Sequence, residues 1–317
     1  MKRILCISAA MAALSTGVAA QSTVVATVGM IGQPASEIGA ACIDVETMMG
    51  PGIDPHLYKP SAGDVGRLVD ADGVLYAGHN LEGKVADVFA KLGDRKPVLA
   101  VAEAAAGEGN LILQEGADYA DPHLWMDVAL WSGISQPIAE LIVELQPSCT
   151  LSAGRAKQYT LKLRALDGWI REAIASIPEE QRILVTAHDA FAYYGRAYGI
   201  EVAGIQGVST ESEAGIADIR GIVDLVVDRD VPAIFVESTI NPRTIEAVIE
   251  AAAARGHDVR LGDELFSDAM GEPGTAEGTY IGMLHANTVH IVTALGGTLP
   301  PLPEKLSGWA KKWDIGS

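Results

Sequence analysis

Two of the seven histidines in the chain stand in the same short frame, Asp54-Pro55-His56-Leu57-Tyr58 and Asp121-Pro122-His123-Leu124-Trp125. Proline holds its own φ near about −65° and biases the residue before it toward extended backbone. Asp-Pro-His is therefore a stiff turn that aims an imidazole, with an aromatic two residues on to wall it in. Neutral imidazole is the commonest protein metal ligand, so the pair reads as two halves of one metal site. Two unrelated Asp-Pro turns are the plain alternative, which the repetition disfavours. The second half of the chain offers two more candidates. His188 closes the buried run Arg182–Ala187, and Asp268 lies in Gly262–Asp268, just past a strand-like segment. In open α/β sheets, ligands sit beyond the carboxyl ends of strands, and both residues occupy that kind of position.

The elements that must carry these residues are legible as periodicity. Thr23–Met30, Cys42–Met49, Gly73–Tyr76 and Pro97–Val101 are continuous apolar runs, the mark of strands buried on both faces. Pro34–Ile38, Asp64–Asp70 and Glu82–Leu92 read as helices between them, with Ser61 and Asp64 spaced as a helix start. Glu103–Ala120 reads as a loop leading into the second Asp-Pro-His turn. Helix resumes at Asp127–Leu145, breaks at Pro147, and continues through Leu151–Ile177 with apolar residues at helical spacing. That length spans roughly 40 Å, more than one small lobe needs. A second series follows: strands at Arg182–Ala187, Glu201–Ile205, Ala233–Glu237 and Asp258–Leu261, helices at Ala190–Tyr198, Glu213–Val227, Pro242–Arg255 and Thr279–Leu295. Strand–helix alternation in both halves predicts an α/β fold of two parallel-sheet lobes joined by a single long rigid helix. The expected organisation is a signal peptide at 1–20, an N-terminal lobe at 21–147, the linking helix at 148–178, a C-terminal lobe at 179–298 and a surface tail at 299–317 that packs Trp309 and Trp313.

The N-terminus carries Lys2 and Arg3, an apolar run from Ile4, and small residues up to Ala20, the pattern of a secretory signal peptide. Cys6 sits at the start of that run, badly placed for a lipidated mature N-terminus, so a soluble periplasmic protein is expected. No later stretch reaches ~18–20 uninterrupted apolar residues. The formal charge is −18, and removal of Lys2 and Arg3 makes it more acidic still. This argues against nucleic acid, which selects basic patches. Beyond the leader only Cys42 and Cys149 remain. In an oxidising compartment they could pair, and two small buried thiols are the other reading. Neither stands in a CxxC or Cys/His cluster, which disfavours a thiolate metal site.

Six segments together resemble one family. They are Gly50–Pro60, Asp121–Asp127, Thr186–Gly195, Gln206–Glu213, Ile234–Ser238 and Leu265–Gly271, in order along the chain. They are similar to the zinc/manganese solute-binding proteins of ABC transporters, in particular the TroA-like members, with matching segments from about Val24 to about Leu295. The resemblance implies two α/β lobes bridged by one rigid helix, with a metal site in the cleft between them. It implies His56, His123, His188 and Asp268 as the four ligands of Zn²⁺ or Mn²⁺, a transported ion and not a catalyst. It also implies a permease of a metal ABC transporter as partner and a monomeric binding protein. Asp189 and the backbone of both Asp-Pro turns are candidates for orienting the imidazoles. Glu211, Glu213 and Glu237 lie in family signatures, but spacing gives them no ligand role.

His79, His257, His285 and His290 share no frame and are assigned no ligand role, although His79 follows a strand near where a site would open. Zinc-dedicated relatives often carry a His-rich loop before the second turn, which Glu103–Ala120 lacks. Manganese-dedicated relatives commonly have glutamate where this chain has His188. Nitrogen ligation and the Irving–Williams order favour zinc, with manganese or iron as alternatives. The rival function is an exported zinc metallohydrolase built on the same histidines. Against it stand the absence of HExxH and a fourth protein ligand in the place that catalysis keeps open.

Overall fold

A computed structural model describes residues 21–114 and 119–316. The expected signal peptide, 1–20, lies outside them. The first lobe runs β1 (Ser22–Val28), α1 (Gly29–Gly39), β2 (Ile43–Met49), α2 (Ala62–Asp70), β3 (Gly73–Tyr76), α3 (Ala86–Gly93) and β4 (Val98–Ala100). All pairings are parallel, in the order β2-β1-β3-β4. α2 begins where its sequence signature stands. Ser61 Oγ accepts the Asp64 N–H while the Asp64 carboxylate accepts the Ser61 N–H, so two otherwise orphaned donors are satisfied. Burial on both faces holds for β1 but not for β2, where Asp44, Glu46 and Thr47 are exposed. The cause is position, since β2 is the edge of the sheet.

Glu103–Ala120 is less of a loop than its composition suggests. α4 (Val101–Ala105) continues straight from β4, and Leu113 pairs with Ala120 across an antiparallel bridge. α5 (Val128–Trp131) and α6 (Ser135–Leu145) follow, separated by a tighter 3₁₀ turn. Val128–Leu145 is long and apolar enough to cross a membrane by composition, and half of it is buried in the protein. α7 (Ser152–Ala175) is the spine: its 24 residues span about 36 Å.

The second lobe repeats the pattern with β5 (Ile183–His188), α8 (Ala192–Tyr198), β6 (Glu201–Gln206), α9 (Ile216–Asp228), β7 (Ala233–Ile234), α10 (Arg243–Ala254), β8 (Arg260–Leu261) and α11 (Tyr280–Ala294). β5 pairs with β6 and β7 with β8, all parallel. The Phe235 N–H donates to Val185 O at 2.9 Å and lays the β7 end beside β5. The order β6-β5-β7-β8 thus repeats that of the first lobe, although β7 and β8 are shorter than their apolar runs. The chain is α/β, with two parallel lobes joined by α7.

The larger apolar core runs without a break from Val24 in β1 through Leu163 and Ile170 in α7 to Leu284 in α11. A second cluster, with Ile183, Val226 and Val248, fills the outer side of the second lobe under α9 and α10. Within the expected tail, 299–317, the chain forms α12 (Ser307–Trp313), docked by Leu306 and Ala310, and Trp309 packs against the core. Trp309 Nε1 donates to Thr279 Oγ1 at 3.1 Å, which ties this helix to the start of α11. Cys42 and Cys149 form a disulfide that joins the start of β2 to the link between α6 and α7. Of the two readings of these cysteines, pairing is the one that holds.

Candidate metal centre

The two Asp-Pro-His turns fold alike. Asp54 Oδ1 accepts the His56 N–H at 2.8 Å, and Asp121 Oδ1 accepts the His123 N–H at 2.9 Å. Each aspartate therefore closes its own turn, a local hydrogen bond that short acidic side chains favour. The His56 turn follows β2, and the His123 turn follows the Leu113–Ala120 bridge. In the second lobe His188 is the last residue of β5. Asp268 sits beyond β8 on a segment clamped by Asn287, which accepts the Phe266 N–H at 2.8 Å and donates to Phe266 O at 2.7 Å.

These elements bring His56, His123, His188 and Asp268 together, with one donor atom of each within 4.8 Å of all the others. Asp268 Oδ1 lies 3.1 Å from His123 Nε2, and its Oδ2 lies 3.3 Å from His188 Nε2 and 3.7 Å from His56 Nε2. His56 Nε2 and His123 Nε2 are 3.4 Å apart. All four residues are buried, His56 least completely. Both Asp268 oxygens and His188 Nε2 are sealed from water yet have no hydrogen-bond partner of good geometry. A buried carboxylate without a well-aligned hydrogen bond is unfavourable; in the metal-free cluster only the nearby imidazoles offset its charge, and a cation among these four donors would satisfy it.

Two imidazoles are oriented through the nitrogen that faces away from the centre. His123 Nδ1 lies 2.7 Å from Asp121 Oδ1, and His188 Nδ1 lies 3.1 Å from Glu237 Oε1. A carboxylate on Nδ1 favours the Nδ1–H tautomer and leaves Nε2 bare toward the centre. Glu237 is buried and also accepts the N–H groups of Ala187 (2.9 Å) and His188 (3.0 Å), so it fixes strand and ring together. Spacing gives Glu237 no ligand role, and it is not among the four converging residues, but it is Glu237 and not the expected Asp189 that holds the His188 ring. Asp189 sits in a separate hollow with Gly204 and Asp218, because residues alternate sides as β5 ends. The signal available was the order of strands: β7 neighbours β5, so a charged residue ending the β7 run faces His188. The first lobe repeats the device without a histidine. Buried Glu82, beyond β3, accepts from Thr27 Oγ1 at 2.6 Å and from the Ala77 N–H at 2.7 Å.

The charges set the protonation of the metal-free cluster. Burial presses the His123 ring to lose its proton, but the Asp121 and Asp268 carboxylates outweigh this and hold its pKa at about 9. His188 is likewise raised against burial by Asp268 and Glu237. His56 is lowered, chiefly by burial. Burial alone would raise Asp268, yet the two charged imidazoles hold it well below the usual carboxylate range. Replacing Glu237 with glutamine should therefore weaken metal binding by about 10–100-fold, the span typical of lost ligand-orienting groups. A competition titration against a chelator of known affinity measures it, and wild-type affinity would show that Glu237 does not orient His188.

The remaining histidines lie elsewhere. His285 is stacked on Trp169 at a centroid distance of 4.9 Å and meets the tilted ring of Trp309 at 5.4 Å. His257 Nε2 meets Val231 O, and His290 Nδ1 meets Glu264 O. His79 lines a cavity beside His56 but is not one of the four converging residues.

The chain matches the family model for zinc-uptake complex component A, periplasmic (ZnuA), over residues 24–294. It is 46% identical to the zinc-binding protein TroA of Treponema pallidum (strain Nichols) over 273 residues, covering 86% of this chain and 88% of that one. It is 45% identical to the manganese-binding lipoprotein MntA of Bacillus subtilis (strain 168) over 276 residues, covering 87% and 90%. Among solved structures, the periplasmic zinc-binding protein TroA from Treponema pallidum superposes with a TM-score of 0.84 at 45% identity, covering 87% of this chain and 99% of that one. With two lobes on one spine helix, a buried four-residue cluster between them and a match over most of its length, the chain belongs to the ZnuA family of periplasmic zinc-uptake components.

Proposed function

We propose that this protein captures a divalent transition-metal ion outside the cytoplasm, with His56, His123, His188 and Asp268 as its ligands, and delivers it to the permease of an ABC-type importer. The observation that carries this reading is the set of four donor atoms within 4.8 Å, with buried Asp268 oxygens left without a well-aligned hydrogen bond. Three nitrogens and one carboxylate are a donor set that suits tetrahedral Zn²⁺. Relatives of nearly equal identity are named for zinc and for manganese, so overall likeness does not choose the metal. We read the donor chemistry, together with the Irving–Williams order, as favouring zinc, with manganese the alternative.

The metallohydrolase alternative finds no support. On this reading Asp268 takes the position that a hydrolytic zinc site reserves for water, which supports a carrier over a hydrolase. The disulfide fits an exported, oxidising location. With both thiols beyond residue 20 occupied, the reading extends to a periplasmic protein without a lipid anchor that acts as a monomer. A core continuous from β1 to α11 resists wide hinge closure, which favours modest rocking and local loop change.

The test is calorimetric titration of metal-stripped protein with zinc in buffers of different ionisation enthalpy. One ion per chain should bind, with protons released at pH 7. The sign follows from the raised pKa values. At pH 7 the metal-free protein keeps a proton on His123 that ligation must displace, and His188 is shifted in the same direction, so affinity rises from pH 7 toward 9. Stability of the metal-free protein moves the other way. A histidine raised from about 6.5 to about 9 contributes stability that is complete below 6.5 and lost as pH climbs through 9. Proton-free zinc binding, or affinity that falls as pH rises from 7 to 9, would contradict the assignment of these imidazoles.

A further inference from the structure

His123 and His188 are fully sealed and Asp268 is 1% exposed, whereas His56 is 7% exposed and is the side of the cluster that meets solvent. Beside it lies a cavity of about 200 Å³ lined by His56, His79, Lys84, Tyr119, Val208 and Glu211. His56 and this cavity therefore form the side of the cluster that opens toward solvent. One wall of that opening is the segment 207–214, which joins β6 to α9 and belongs to neither strand nor helix. Among the described residues, no strand or helix backbone group hydrogen-bonds to its backbone. Two of its side chains reach across the cleft instead.

Thr210 is buried, and its Oγ1 donates to Asp54 Oδ2 at 2.6 Å. The other oxygen of Asp54 accepts the His56 N–H. Glu211 pairs with Lys84 Nζ at 3.0 Å, and the same Nζ donates to His56 O at 3.3 Å. Both tethers start in the second lobe and end on the backbone of one first-lobe residue, one through its N–H and one through its carbonyl. A buried hydroxyl is unfavourable unless it is hydrogen-bonded, and the partner of Thr210 lies on the opposite lobe. Burial of Thr210 is therefore coupled to closure of the cleft. The twin turns differ on this point. The Asp121 carboxylate orients its own histidine ring, whereas the Asp54 carboxylate is shared with the other lobe.

We propose that Thr210 and Glu211 are positioning residues for the bound ion: they latch segment 207–214 onto the His56 turn and set how fast the ion leaves, not how fast it arrives. The latch exists only when the cleft is closed, so its loss favours opening without adding a barrier to capture. This rests on His56 being a metal ligand, as proposed above.

The experiment is stopped-flow transfer of zinc from the loaded full chain to an excess of fluorescent chelator, paired with association rates for metal-stripped protein. Thr210→Val keeps the shape and removes the hydroxyl. It should release zinc roughly tenfold faster, the scale of one hydrogen bond, with an unchanged association rate, and Thr210→Ser should restore slow release. Glu211→Gln, at an exposed position, should also speed release. It should further weaken the acceleration of release that added salt produces in the wild type. Wild-type release rates in both Thr210→Val and Glu211→Gln, or an effect confined to association, would overturn the latch while leaving wild-type zinc binding intact. A wild-type chain that binds no zinc would sink the ligand assignment itself, and the latch with it.

Discussion

Replacing His188 with alanine lowers zinc affinity by more than about 100-fold and leaves the chain folded. The lower bound comes from the groups behind the ligands, whose loss alone commonly costs 10–100-fold; removal of a ligand exceeds it. The fold survives because the anchor of the β5 end is not the ring. Glu237 holds the backbone N–H groups of Ala187 and of residue 188 itself, and both bonds remain in the variant. The ring also leaves a Coulomb partner missing from Asp268, but His123 still faces that carboxylate at 3.1 Å. Zinc titration of the metal-stripped variant, with near-ultraviolet circular dichroism as the check on packing, gives the answer. His285→Ala, which removes a ring packed against two tryptophans away from the cluster, should bind zinc like the wild type. Equal affinity in His188→Ala and the wild type would remove His188 from the ligand set.

The second large effect concerns stability. Reducing the disulfide, or replacing Cys42 and Cys149 together with serine, should destabilise the metal-free protein by about 2–4 kcal/mol. The bond closes a sequence separation of 107 residues, and loop-closure entropy for about 100 residues sets an upper figure near 4.7 kcal/mol. The closed loop contains β2, β3 and β4 of the first-lobe sheet and both Asp-Pro-His turns, but not β1, which lies before Cys42, and neither His188 nor Asp268. Denaturant unfolding of metal-stripped protein, with and without reductant, measures the change. Zinc must be absent, because an ion that binds only the folded state adds stability of its own and masks the difference. A midpoint that does not move on reduction would mean that the packing of α6, α7 and β2 already restricts the unfolded chain.

Much of this molecule is written plainly in its residues. The four first-lobe strands and the spine helix lie within a few residues of their apolar runs, because each buries a continuous face and periodicity reports burial. The twin aspartates of the Asp-Pro-His frames signal turns, and both close on the following histidine N–H. What periodicity does not carry is which strand lies beside which. Glu237 could be tied to His188 only by knowing that β7 flanks β5, and Asp189 looked more apt because it is adjacent in sequence. β2 fails the burial expectation for a related reason, since its edge position is a property of the sheet. Thr210 is the extreme case: nothing local marks one hydroxyl in a polar loop as the partner of Asp54, which lies 156 residues earlier. The helical tail was hidden by its prolines, which mark the approach to α12 and not its absence.

We expect three imidazoles and one carboxylate, drawn from the two lobes, to hold a single ion, and zinc K-edge X-ray absorption of the stoichiometric complex checks this. The spectrum should show a first shell of three nitrogens and one or two carboxylate oxygens at about 2.0–2.2 Å, with the outer-shell scattering of three imidazole rings and no sulfur. A six-oxygen shell, a sulfur ligand, or scattering from fewer than three imidazoles would contradict it.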